Sequence, residues 1–315
     1  NLYAKAGMAY LINNVNNAFA NQAPVLIATG NQVYCPGTPM NIVTDFSITD
    51  PDDTGIDAIY VQISSGYVFG QDLLSLMGNH PNLKSSWSTT TGKLTITGVS
   101  GQPTYIELIA AVKDVVYSNN NSNPSGVRNF SISVGQANYL PSNQHYYQYV
   151  PSVGITWTSA KSLAQTSTYY GLQGYLATIT SADEAKLSGE QAAGAGWIGG
   201  SDEQAEGVWK WMTGPEIGTV FWNGGINGST PNFAFWNNGE PNQSGDEDYA
   251  HIKSNNVAGR PGSWNDLSNF GSPSGDYQPK GFIVEYGGMP GDPVLQISAS
   301  TTITIPKITS TTPNS

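Results

Sequence analysis

Six hard oxygen side chains gather in one stretch of this sequence: Glu240 and Asn242 on either side of Pro241, then Glu247 with Asp248, then Asn265 with Asp266 after Trp264. Calcium takes about six to eight oxygen ligands, tolerates irregular geometry, and is well served by carboxylates mixed with amide carbonyls. Glu240, Glu247 and Asp266 supply charge, while Asn242 and Asn265 supply neutral oxygens. Such a set slightly over-neutralises one divalent ion and leaves ligand positions open, so two neighbouring hydroxyls of a sugar could complete the shell. That chemistry requires no nucleophile and no base, and the chain is expected not to be an enzyme. Glu240 and Glu247 as a glycosidase carboxylate pair is the competing reading, but the ligand set consumes both.

These residues must be positioned by a chain of 315 residues, long enough for two ordinary domains. Its net charge of -11 and three scattered histidines speak against a phosphate-tracking surface, so no nucleic-acid partner is expected. Charged residues make up 11%, well below the roughly 25% usual for soluble domains, as in many exported bacterial surface proteins. Cys35 is the single cysteine, so no intrachain disulfide forms, and a small buried apolar role is expected for it. The start Asn1-Leu2-Tyr3 lacks a signal-peptide pattern and no apolar run suits a membrane span. If exported, this is a processed or excised form.

Met8, Leu11, Ile12, Val15 and Phe19 fall at helical spacing, predicting a short amphipathic helix over 4–19 that caps the next domain or associates with a neighbouring subunit. From Ala23 to about Ala137 the pattern changes to short alternating runs, at 59–63, 93–97, 106–112 and 129–134, which predict an all-β sandwich. After a turn near Pro141 come an aromatic strand at 145–149, a helix at about 158–166, and a second helix whose capping box pairs Ser181 with Glu184. Strands follow around Trp197 and Trp209. The irregular stretch 212–265 is too long to be ordered without a functional or ion-bound reason. Trp197, Trp209, Trp211 and Trp264 are expected in the core; Trp222, Phe233, Phe235 and Trp236 are candidates either for the core or for stacking on a sugar face.

With these motifs placed, the segment from about Asn143 to Tyr286 resembles a C-type lectin-like domain. The matching residues are Leu176-Ala177-Thr178-Ile179, Trp197-Ile198-Gly199, Glu206-Gly207-Val208-Trp209, Glu240-Pro241-Asn242, Glu247-Asp248, Trp264-Asn265-Asp266 and Gly281-Phe282-Ile283-Val284-Glu285-Tyr286. The resemblance implies a primary Ca2+ held by Glu240, Asn242, Glu247, Asn265 and Asp266, the same five residues binding sugar, with a cis bond before Pro241. The Glu-Pro-Asn order implies mannose, glucose, N-acetylglucosamine or fucose rather than galactose. A second Ca2+ is matched by Asp202, Glu206 and Asp248, with Glu247 shared, although Gln243 stands at a usually acidic position. Where animal members carry two disulfides, this chain has Ala164, Tyr249 and Val284, with the fourth place near Asn269 or Phe270, so apolar packing must fill those places.

The preceding segment, with Ile48-Thr49-Asp50-Pro51-Asp52-Asp53, Gly66-Tyr67-Val68 and Phe130-Ser131-Ile132, resembles cadherin-like repeats of bacterial adhesins. Its Asp-rich turn is read first as local turn chemistry and second as a calcium site. Tyr34-Cys35-Pro36-Gly37 and the stretches 136–141 and 285–293 look like large type IX-secreted surface proteins of Bacteroidetes. The expected fold is thus mainly β with an α+β second domain: an N-terminal helix at 1–22, a cadherin- or Ig-like sandwich at 23–138, a C-type lectin-like domain at 139–288, and at 289–315 a strand or linker to a following domain. The expected role is a Ca2+-dependent glycan-binding adhesin module, extracellular or at a bacterial cell surface. The alternative is an assembly protein with structural calcium, bound to neighbouring subunits.

Overall fold

The computed structural model describes residues 21–192 and 194–307; the helix expected at 4–19 lies outside them. Alternating apolar residues build a six-stranded sheet in the order Asn31–Val33, Ser298–Ile305, Gly126–Ser133, Ala58–Ser65, Lys93–Gly98 and Leu83–Ser88. Ile59, Val61, Ile63, Phe130, Ile132 and Ile303 point from it into the core and are each 0% exposed. Facing them are the pair Val25–Thr29 with Asp45–Thr49 and the three strands Met40–Asn41, Val115–Asn119 and Asp72–Leu76. Burial of each such side chain is worth about 1.5–3 kcal/mol, which is what commits a period-two sequence to one face. A buried ion pair, Arg128 Nε to Asp72 Oδ2 at 2.7 Å, is completed by Tyr117 and Asn119 donating to Asp72 Oδ1, both at 2.6 Å.

The second unit is a sheet running Asn138–Leu140, His145–Pro151, Gly281–Tyr286, Gly196–Ser201, Val208–Trp211 and Val220–Asn223. Leu172–Leu176 pairs with Gly281–Tyr286, and Tyr249–Ile252 bridges Gly196–Ser201 to Trp264–Leu267. The helix Trp157–Thr166 starts at Thr156, whose hydroxyl accepts from Ser159 N at 3.1 Å. Asn269 adds a further cap, its side chain accepting from Thr158 N at 3.1 Å. Ala164, Tyr249 and Val284 are buried in one cluster, so apolar packing does fill three of the places named for the missing disulfides. Trp197, Trp209, Trp211 and Trp264 are at most 1% exposed, in the core as expected.

Four expectations are corrected. The run at 106–112, expected as a strand, lies in the helix Tyr105–Lys113. Thr104 and Glu107 form a capping box at its start, and Tyr105, Leu108, Ala111 and Val112 are buried at helical spacing while Ile106 is 81% exposed. The capping box expected at Ser181 is only half made. Ser181 accepts from Glu184 N at 3.2 Å, but the Glu184 carboxylate turns to Thr180 N at 2.6 Å and to the Tyr147 hydroxyl at 2.8 Å. Cys35 is exposed, because its neighbour Tyr34 takes the core position.

The fourth correction concerns the tail. Ser298–Ile305 does not belong to a following domain. It pairs antiparallel with Gly126–Ser133 and parallel with Asn31–Val33, inside the first unit. Thr301, Ile303 and Ile305 face inward, and Thr301 Oγ1 donates to Ile42 O at 2.7 Å. Without this strand Gly126–Ser133 would present a long unpaired edge, which sheets avoid. The second unit is therefore an insertion between two neighbouring strands of the first, and one apolar cluster runs through both, joining Ile132, Val134 and Ala137 to Tyr146, Leu172 and Tyr286.

Candidate functional site

The stretch 212–265 is ordered largely by its own packing. Trp236 and Trp264 form a parallel bridge, and Trp236 lies against Trp209 and Phe221 with ring centroids 4.7 and 6.1 Å apart. Asn237 ties the two limbs: its amide nitrogen donates to Ala258 O at 2.9 Å, and its side-chain oxygen accepts from Arg260 N and Ser263 Oγ, both at 3.2 Å. Gly259 is required there, since its φ is +117° and a Cβ would come within 1.9 Å of Asn237 Oδ1. The Arg260 guanidinium sits 4.5 Å over the Phe235 ring. Trp236 therefore belongs to the core, while Trp222, Phe233 and Phe235 are half-buried at its margin.

This scaffold brings the first predicted set together. The Glu240–Pro241 bond is cis. Asp266, 2% exposed, holds the turn that follows it, its two carboxylate oxygens accepting from Asn242 N at 3.1 Å and Gln243 N at 2.9 Å. Asn242 Nδ2 donates to Glu240 Oε2 at 2.5 Å, and Glu247 Oε2 accepts from Ser244 N at 2.9 Å. Asn265 is 2% exposed and lies opposite the buried His251, and among the described residues its side-chain oxygen has no well-formed hydrogen bond. A buried, unpartnered carbonyl oxygen costs on the order of 1–3 kcal/mol, and a cation is one partner that removes the cost.

The second set converges beside the first. Asp202 N donates to Asp248 O at 3.2 Å, Asp202 Oδ2 accepts from Gly207 N at 2.9 Å, and Asp202 Oδ1 is buried without a partner. Gln243, at the position read as usually acidic, donates to Glu206 Oε2 at 2.5 Å and so links the two sets. Neither set is as compact as Asp50, Asp52 and Asp53, the carboxylates that among the described residues lie within 4.8 Å of one another. That turn is satisfied locally, Asp50 Oδ1 accepting from Asp52 N and Asp53 N at 3.2 Å and Asp50 Oδ2 from the Tyr105 hydroxyl at 2.7 Å.

Electrostatics separates the loop from an ordinary acidic surface. Burial, then hydrogen bonding to Asp266 and that carboxylate's charge, push Glu240 up to about 8. Burial pushes Asp202 up to about 7, with the Gly207 amide opposing and the charges of Glu206 and Asp248 adding. Glu247 and Asp248 are also raised, burial first and neighbouring carboxylates second. Negative charge is thus crowded around buried oxygens and, among the described residues, no cationic side chain is paired to it, an arrangement a divalent cation fits.

A polar network below the sheet escaped the sequence reading. Glu285, 1% exposed, accepts from Thr178 N at 2.9 Å and lies 2.6 Å from His145 Nδ1, with the Tyr147 hydroxyl 3.1 Å away. Its members sit at 145, 147, 178 and 285, too far apart in sequence to leave a local signal. They fix the closing strand rather than reach the loop.

No protein-family model matches the chain. It is 34% identical over 297 residues to halomucin of Haloquadratum walsbyi, which covers 90% of this chain and 3% of halomucin. It is 33% identical over 94 residues to C-type lectin domain family 4 member M of Hylobates lar, and 36% over 72 residues to the hepatic lectin of Gallus gallus. The chain spans only 19% and 26% of those two lectins. Among solved structures, a cow CD23 C-type carbohydrate-recognition domain determined with a GlcNAc2Man3 oligosaccharide aligns with 46% of this chain and 89% of its own, at 20% identity and a TM-score of 0.32. No helix among the described residues is long and apolar enough to cross a membrane. The second unit has a C-type lectin-like fold.

Proposed function

We infer that the second unit binds glycans through Ca2+ held by Glu240, Asn242, Glu247, Asn265 and Asp266. The observation that carries this reading is the buried oxygen of Asn265, without a well-formed hydrogen bond among the described residues, beside Asp266, which itself anchors the Glu240-Pro241-Asn242 turn. The ion would supply positive charge to this donor set and open positions for two vicinal hydroxyls. The protein's part is to hold the carboxylates as hydrogen-bond acceptors for those hydroxyls and to offer the amides of Asn242 and Asn265 as donors. The Glu-Pro-Asn order supports mannose, glucose, N-acetylglucosamine or fucose. A second Ca2+ at Asp202, Glu206 and Asp248, sharing Glu247, is supported by the unpartnered Asp202 Oδ1.

At the level of the chain, the reading is an extracellular or cell-surface adhesin module, with a cadherin-like first unit carrying the lectin-like one. Its similarity to a 3% portion of halomucin supports membership of a much larger protein. The type IX-secreted, bacterial setting rests on the phrase resemblance alone. Calorimetric titration with calcium and then methyl mannoside tests the binding reading: sugar heat only with calcium supports it, and sugar heat in chelator overturns it. The competing assembly role loses one of its routes, because the C-terminal strand that could have met a neighbour is paired within the chain.

A further inference from the structure

At the junction of the two units lies a half-open cavity of about 360 Å³ that shares no residue with the loop site. Lys93 and Thr91 line it from the first unit; Gln136, Tyr149 and Gln191 line it from the linker and the inserted unit. Gln191 is 0% exposed. Its Nε2 donates to Ile63 O and Thr91 O, both at 2.9 Å, which fixes the orientation of the amide because both partners are acceptors. Its Oε1 is sealed from the cavity and, among the described residues, has no donor. Lys93 Nζ donates to Gln136 O at 3.0 Å, and among the described residues no carboxylate forms an ion pair with it. The Tyr149 ring forms a wall, held against the backbones of Gly194 and Gly281, where a Cβ would come within 2.5 and 2.9 Å of it.

We propose that this cavity is a second, metal-independent binding site for an acidic sugar of one or two residues, its carboxylate on Lys93 and its ring against Tyr149. The acid follows from a half-buried ammonium that gives one hydrogen bond to a backbone carbonyl, lies 5.5 Å over the Tyr60 ring and has no carboxylate partner among the described residues, since charge-assisted hydrogen bonds to a carboxylate are the strong ones. The sugar ring follows from an aromatic wall between polar groups in a space of this size. Burial pushes Lys93 down to about 8, a shift that a bound anion would oppose.

The test is calorimetric titration of glucuronate into the full chain in excess chelator, with glucose as the neutral control. Glucuronate should bind without calcium, with glucose about tenfold weaker or undetected. Lys93→Met should lose about tenfold for glucuronate while its response to calcium and methyl mannoside stays unchanged, and Lys93→Arg should retain binding. On the parent protein, glucuronate should shift the Tyr149 ring resonances, a readout that stands even if Lys93→Met does not fold. Absence of glucuronate binding in chelator, equal binding of glucose, or an unmoved Tyr149 ring would overturn the proposal. Each of these outcomes is independent of whether the calcium site binds mannose.

Discussion

Asn265 carries the sharpest consequence at the scale of single residues. Among the described residues its buried side-chain oxygen has no well-formed hydrogen bond, so it is a stability liability that the site retains. Asn265→Leu is expected to melt at or above the parent temperature in chelator, yet to gain nothing from calcium; a calcium-induced rise equal to the parent's would contradict the ligand role. Glu240 makes a separate point through pH. Its carboxyl is raised from 4.5 to about 8, so the folded, metal-free protein holds a proton that the unfolded chain releases. The stability tied to that proton is present below about 4.5 and is lost as pH rises through about 8. In chelator the melting temperature of Glu240→Gln minus that of the parent should therefore grow from pH 5 to pH 8, and a flat difference would refute the assignment. With calcium the direction reverses for the parent, because the ion competes with the proton, and glycan binding should weaken in mildly acidic solution.

At the scale of elements, the capping box and the returning strand each make a measurable demand. Thr104→Ala should cost about 0.5–2 kcal/mol in denaturant unfolding, since it removes the N-cap of Tyr105–Lys113. Ile303→Ala should cost about 2–5 kcal/mol, because Ile303 is fully buried between the sheets although it lies more than 160 residues from its strand partner Arg128. A loss of only a few tenths would mean that the tail strand is dispensable. The same elements show what could be read from sequence. The strands Val220–Asn223, Tyr249–Ile252 and Trp264–Leu267 were not legible in and at the end of the stretch read as irregular, because each is only four residues long among Gly, Asn and Pro. The strand Gly281–Tyr286 was expected from the resemblance, and it is buried along its whole length. The helix at Tyr105 was missed although Thr104 and Glu107 spell its cap, because Ile106 to Val112 contains enough apolar residues to pass for a buried strand. The place of Ser298–Ile305 was not legible at all: its alternation says strand, but nothing local says which sheet receives it.

At the scale of the whole molecule, insertion makes the two units one folding problem. The chain leaves the first sheet at Ser133 and returns at Ser298, Val134 N donates to Ile297 O at 3.2 Å across the junction, and Gln191 reaches back to Ile63 and Thr91. With one apolar cluster spanning both units, thermal unfolding followed by near-UV and far-UV dichroism should give a single coincident transition in calcium. Two separated transitions would mean that the junction couples them weakly. A rigid junction would present the loop site at a fixed angle to the sheet that carries it and would keep the cavity at Lys93 formed. The measurement that tests the central claim most directly is calorimetric titration of the chain with calcium, followed by methyl mannoside with and without chelator. Calcium heat, then sugar heat that disappears in chelator, is the predicted result; calcium that fails to bind, or sugar that binds without it, would contradict the account.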